Sequence, residues 1–222
     1  MCFSASASFA AAGVVTVAGV AALRGARKPA HLLLGAIPLF FALHQLAEGM
    51  LWLALSREGY AAWGQPAMFT FLIVAKVVWP VWVPLSIRAL EEDPARRRAL
   101  SALLALGVVL TAGLAYGLDA YPMRASIEGN HIRYRLDFPA PFRWTVDILY
   151  LLVTVLPPLV SSIRMMRWIG VILLASLVFS KIFFYSYVVS VWCFFAALIS
   201  AMVVLVVRTG RKSSGAPNGN GR

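Results

Sequence analysis

Charge is scarce in this chain. Only 13% of its 222 residues are charged, against ~25% in a typical soluble domain. Acid is scarcer than base, with nine Asp and Glu against twenty Lys and Arg. That composition argues against a soluble globular domain. Two cysteines, Cys2 and Cys193, cannot build a disulfide framework, and Cys193 falls in an apolar run as a small core residue would. There is no His-Glu-x-x-His pair, no Gly-Lys-Ser/Thr phosphate loop and no serine-nucleophile elbow. Three histidines, His31, His44 and His131, fall at three different levels of the expected fold, so no metal site is expected. Nothing in the sequence names a cofactor.

What the chain has instead is apolar length. Hydrophobic residues make up 61% of it, and seven segments of spanning length can be drawn. They cover roughly 3–23, 31–55, 67–88, 99–118, 144–163, 168–187 and 189–208. The expected fold is all-α, a seven-transmembrane-helix bundle forming one unit over residues 1–210. The tail 211–222, rich in Ser, Gly and Asn, has nothing to bury and is expected to be disordered. Only Tyr187 to Ser190 separates the last two spans, so a long re-entrant pair is the alternative there.

The net charge of +11 would suit nucleic acid only if it clustered on one folded face. Here the basic residues sit between apolar runs, which points to a bilayer as partner and away from nucleic acid. They sort by side. Arg24, Arg27, Lys28, Arg88, Arg96, Arg97, Arg98, Arg164, Arg167, Arg208, Arg211, Lys212 and Arg222 fall on one side, and Arg57, Arg124, Arg133, Arg135 and Arg143 on the other. The positive-inside rule then places the N-terminus outside and the C-terminus in the cytoplasm of an inner (plasma) membrane. The first span is not read as a signal peptide, because its positive charges follow the apolar run. Its Ser4, Ser8, Ala11, Ala12 and Gly19 suit close helix packing.

Between the fourth and fifth spans, Ile132, Tyr134, Leu136 and Phe138 alternate with Arg133, Arg135 and Asp137, a strand pattern. Ala125 to Ile127 can pair with it across Glu128-Gly129-Asn130-His131. A short outer β-hairpin is expected there, serving as a lid on the bundle or as a solvated connector.

Ionisable groups inside the spans carry the functional reading. A carboxylate at mid-membrane costs ~2.5 kcal/mol or more, so an intramembrane Glu is a functional-site hypothesis by default. From the ~1.5 Å rise per residue, Glu48 lies roughly 11 Å below the outer boundary, Lys76 roughly 13 Å, Lys181 about 9 Å and Asp147 about 6 Å, with His44 near the midplane. Glu48 with Lys76 is the best-matched pair in depth. His44, Gln45, Glu48 and Trp52 form a polar stripe on the second span, His44 and Glu48 being one turn apart. The bland readings are a structural ion pair for Glu48–Lys76, a hydrogen-bonded core His44, a snorkelling Lys181 and an interfacial Asp147. Proline pairs Pro80/Pro84 and Pro157/Pro158 imply kinks, either hinges or fixed bends. A retinal protein is discounted, because the seventh span carries no Lys before its cytoplasmic end.

Cys2 adds a further candidate. Removal of Met1 would leave an amine and a thiol on one residue, a nucleophile with its own base or a chelate; acylation or inert packing are the plain alternatives. The opening Met1-Cys2-Phe3-Ser4-Ala5-Ser6-Ala7-Ser8-Phe9, together with Gln45-x-x-Glu48-Gly49-x-x-Trp52, resembles a family of uncharacterised bacterial multi-pass membrane proteins beginning Met-Cys-Phe-Ser-Ala. The likeness is distinct over about the first 55 residues and general beyond them. It adds weight to Cys2 and Glu48 and implies no mechanism.

Three functions follow. The leading one is an outward-facing charged cavity that binds, and in its stronger form transports, a small solute or ion. His44, Gln45, Glu48, Trp52, Lys76, Asp147 and Lys181 would line it. The second is an intramembrane enzyme at the outer leaflet, with Cys2, His44 and Glu48 as its catalytic candidates. The third is a structural or accessory subunit whose buried charges specify helix packing. No oligomeric state is implied.

Overall fold

The computed structural model describes residues 4–183, 199–200 and 202–207, with the backbone alone at 140–144. Helices α1 (Ala5–Gly25), α2 (Pro29–Gly35) and α3 (Ile37–Ser56) come first. A 3-10 turn (Glu58–Trp63) leads to α4 (Gly64–Leu72), a π-helical stretch (Ile73–Val78) and α5 (Trp79–Leu90). Then follow α6 (Pro94–Ala120), strands β1 (Met123–Glu128) and β2 (His131–Leu136), α7 (Ala140–Val160) and α8 (Arg164–Phe183).

Among the described residues, five helical stretches are long and apolar enough to cross a membrane: Ala5–Gly25, Pro29–Ser56, Glu58–Leu90, Pro94–Ala120 and Arg164–Phe183. These match the first four expected spans and the sixth. The fifth corresponds to α7, apolar over its described residues Thr145–Val160. Of the seventh, only 199–200 and 202–207 are described, and they are helical. Cys2, Cys193, positions 184–187 and the tail 211–222 lie outside the described residues. Apolar side chains such as Val14, Val17, Val109 and Ile182 face outward, a covering suited to acyl chains.

Small residues set the tightest helix pair. Ser4 caps α1 by accepting the Ala7 N–H at 3.2 Å. The buried face of α1 is Ser8, Ala12, Val15, Gly19 and Ala22, spaced alternately by four and three. It packs against α3, where Gly49 admits the Phe9 ring while Gly19 admits Leu39. A Cβ on Gly49 would lie 2.8 Å from that ring. The pairing of 9 with 49 and 19 with 39 makes the two helices antiparallel.

Proline explains where the expected straight spans break. The second span is two helices, parted at Ala36. Pro38, in the first turn of α3, cannot donate to Leu34, so the helix restarts rather than continues. The third span departs further. Pro80 has no N–H for the carbonyls one turn below, and the chain there runs as a π-helix from Ile73 to Val78. Neighbouring helices take up the slack: the Tyr150 hydroxyl donates to the Ala75 carbonyl, and Thr111 Oγ1 donates to the Val77 carbonyl at 3.0 Å. Pro84 likewise releases the Pro80 carbonyl, which points at Gly107 of α6. Polar side chains on neighbouring helices thus serve backbone that Pro80 leaves open, as apolar surroundings favour.

The hairpin forms where the alternation predicts it. Ala125 pairs with Tyr134 and Ile127 with Ile132 in an antiparallel ladder. Gly129 has φ +60° at the first turn position and Asn130 a negative φ, the II′ arrangement. Its apolar face is not solvated. Ile132 is buried and joins Leu51, Trp52, Phe71 and Leu118 in one core cluster, with Met123, Ala125, Ile127, Tyr134 and Leu136 against it. The other face carries Arg133 and Arg135, which ion-pair with Glu128 at 3.2 and 3.5 Å. Phe138 then inserts its ring over Gly117, pinning the hairpin's exit to α6. The hairpin therefore covers one end of the bundle as a lid, rather than connecting through solvent.

Candidate functional site

Helix α3 carries its polar residues inward. Glu48 is 0% and His44 1% exposed, and Gln45 and Trp52 are buried with them. Gly49 lets the Phe9 ring of α1 pack close against this stripe, which helps enclose a carboxylate in an apolar helix. The His44 ring stacks on Phe71 at 3.9 Å and 13°, and is hydrogen-bonded to the Phe71 backbone. Phe71 stacks in turn on Tyr134 of β2 at 4.4 Å and 5°. Three parallel rings thus run from α3 through α4 to the hairpin. Near the same end, Trp52 Nε1 and Ser8 Oγ are buried polar atoms without a hydrogen-bond partner among the described residues.

The other candidates separate from this stripe. Lys76 sits on the π-helical stretch, half-buried, with its Nζ 5.2 Å from the centre of the Tyr150 ring. Asp147, one turn before Tyr150 on α7, acts on it electrostatically from beyond ion-pair distance. Lys76 therefore faces α7, while Phe71 on the preceding turn faces α3. No Glu48–Lys76 ion pair forms among the described residues, where the ion pairs within 4 Å are the two of the hairpin. The local winding of the third span directs Lys76 to a different neighbour. Asp147 and Lys181 are exposed on α7 and α8. Cys2 lies outside the described residues.

Several polar groups that matter were not singled out in the sequence. Tyr150 and Phe71 read as ordinary span residues, and only the missing Pro80 N–H hinted that a donor was needed nearby. Glu91 is the larger omission. It is 3% exposed at the end of α5, where it binds the turn between α7 and α8. The Ser162 hydroxyl donates to it at 2.6 Å, the Ser162 N–H at 2.8 Å, and the Ser161 hydroxyl and Asp93 N–H each at 3.2 Å. Burial works to raise its pKa, but the bonds from Ser162, Asp93 and Ser161 outweigh it and hold the carboxyl below its ordinary value. Arg96 adds a bond from Nη1 to the Val160 carbonyl at 2.9 Å. This latch closes the end of the bundle opposite the hairpin. Among the described residues no group of three or more His, Cys, Asp or Glu is placed to hold a metal ion.

No curated protein and no solved structure matches the chain. A family model does, over residues 1–219, which takes in the buried stripe, the hairpin and the latch together. On that match the chain belongs to DUF6629, a family of unknown function.

Proposed function

We propose that the chain is an integral membrane protein of the inner membrane, with its hairpin outside and its Glu91 latch in the cytoplasm, that binds a small polar solute or ion at His44 and Glu48. The carrying observation is the complete burial of Glu48 and His44, one turn apart in a spanning helix, with Phe71 stacked between the histidine and Tyr134 of the hairpin. A carboxylate is retained at such depth, against its desolvation, where it has work to do. Trp52 Nε1 supports the reading as a buried donor that a ligand's acceptor would satisfy. Lys76 and Asp147 form a second polar group on the far side of the third span, which a solute would meet after leaving the stripe. Lys181 serves the headgroup layer. The distribution of Lys and Arg supports the orientation. Proton exchange at His44 or Glu48 would couple to solute movement, because it changes the charge enclosed.

The test is chemical. Protein purified in mild detergent is heat-denatured, and released small molecules and ions are identified by mass spectrometry and elemental analysis. A defined species accompanies the wild type and falls about tenfold or more in Glu48→Gln, the loss of one charged hydrogen bond. Glu58→Gln, on the exposed 3-10 turn, retains it. Identical profiles from wild type, Glu48→Gln and His44→Phe would overturn the proposal.

A further inference from the structure

We infer a second site: a groove lined by Arg88, Pro94, Arg97, Arg98 and Ser101 that binds the phosphate of an anionic phospholipid headgroup. It lies between the end of α5 and the start of α6. Three arginines line it, and two of the three neighbouring carboxylates are engaged elsewhere. Glu91 is committed to Ser161, Ser162 and Asp93, and Asp93 caps α6 by accepting the Arg96 N–H at 2.8 Å. Glu92 is exposed. No ion pair to these arginines forms among the described residues. Arg88 is also held in place: its Nε donates to Ser101 Oγ at 2.7 Å, and that hydroxyl donates to the Arg97 carbonyl at 2.8 Å. A fixed guanidinium fork beside two exposed ones suits a phosphodiester's oxygens.

Position selects the source of the phosphate. The groove sits where two spanning helices end, at headgroup level. On the orientation proposed above it faces the cytoplasmic leaflet, where anionic lipids attract basic clusters. The inference rests on that orientation only for which leaflet supplies the lipid; the solute site at Glu48 is a separate matter.

Native mass spectrometry of the delipidated protein, titrated with phosphatidylglycerol or phosphatidylcholine, reads the preference directly. The wild type retains phosphatidylglycerol preferentially. The preference falls about fivefold for each guanidinium removed in Arg88→Gln, Arg97→Gln and Arg98→Gln. The single Arg97→Gln and Arg98→Gln variants alter exposed side chains, so they fold even if the triple variant does not. Arg57→Gln/Arg124→Gln, with equal charge loss per residue at the other end, leaves the preference unchanged. Equal retention of the two lipids by wild type, an unchanged preference in the single variants, or displacement of the lipid by inorganic phosphate would each overturn the inference. Glu48→Gln keeps the lipid preference whether or not it keeps the solute, so the two readings fail separately.

Discussion

At Gly107 a methyl group would overlap the Pro80 carbonyl oxygen, which is backbone and cannot rotate away. Gly107→Ala therefore separates α6 from α5 and lowers stability by about 1–3 kcal/mol or more. Gly13→Ala and Gly113→Ala, with nothing within 4 Å among the described residues, are neutral or gain up to about 1 kcal/mol in helix propensity. Thermal melting in one detergent compares all three. Glu91 carries a pH prediction. Its folded pKa lies below the ordinary 4.5, so its stabilisation is complete above that value and is lost as pH falls through the folded pKa. Glu91→Gln costs about 2 kcal/mol at neutral pH. Its melting temperature converges with the wild type's as pH drops below the carboxylate range; a gap that stays constant with pH would refute the latch. These residues also show what sequence conveys. Glu48 stands out because a carboxylate in an apolar run has few explanations. Glu91 does not, because it lies in a charged loop and its serine partners are about seventy positions away.

Elements were legible to the extent that their signals are local. The hairpin followed from alternation plus a Gly-Asn turn, although its lid role required knowing that Ile132 meets Trp52 and Phe71 in one core. Spans were legible as apolar lengths, but the winding inside them was not. The break at Ala36 and the π-helical stretch sit at prolines, and in the latter the Ala75 and Val77 carbonyls find donors on other helices that composition cannot name. That winding carries its own prediction. Tyr150→Phe removes the donor to the Ala75 carbonyl and costs about 1–3 kcal/mol. Pro80→Ala restores a backbone N–H in the turn above and recovers part of the loss in the Tyr150→Phe background. A double-mutant cycle measures the coupling, and strict additivity would show that the hydroxyl does not stand in for the missing N–H.

For the whole molecule, the buried stripe lies between a hairpin lid at one end and the Glu91 latch at the other, so a solute held there would be occluded from both sides. Which end is outside is read by thiol labelling in intact cells, in a background carrying Cys2→Ser and Cys193→Ser. Ser126→Cys on the hairpin reacts with a membrane-impermeant maleimide, whereas Ala95→Cys at the start of α6 reacts only after permeabilisation. The opposite pattern would invert the orientation and move the lipid groove to the other leaflet.

Occupancy of the stripe is read by ligand-induced stabilisation. Small molecules released from heat-denatured wild type are added back to stripped protein, and the melting temperature is followed with concentration. A ligand bound only by the folded state adds about 2.7 kcal/mol at a hundredfold its dissociation constant. The wild type gains stability along that curve and Glu48→Gln does not. An equal rise in both proteins, or none in the wild type, would contradict the account.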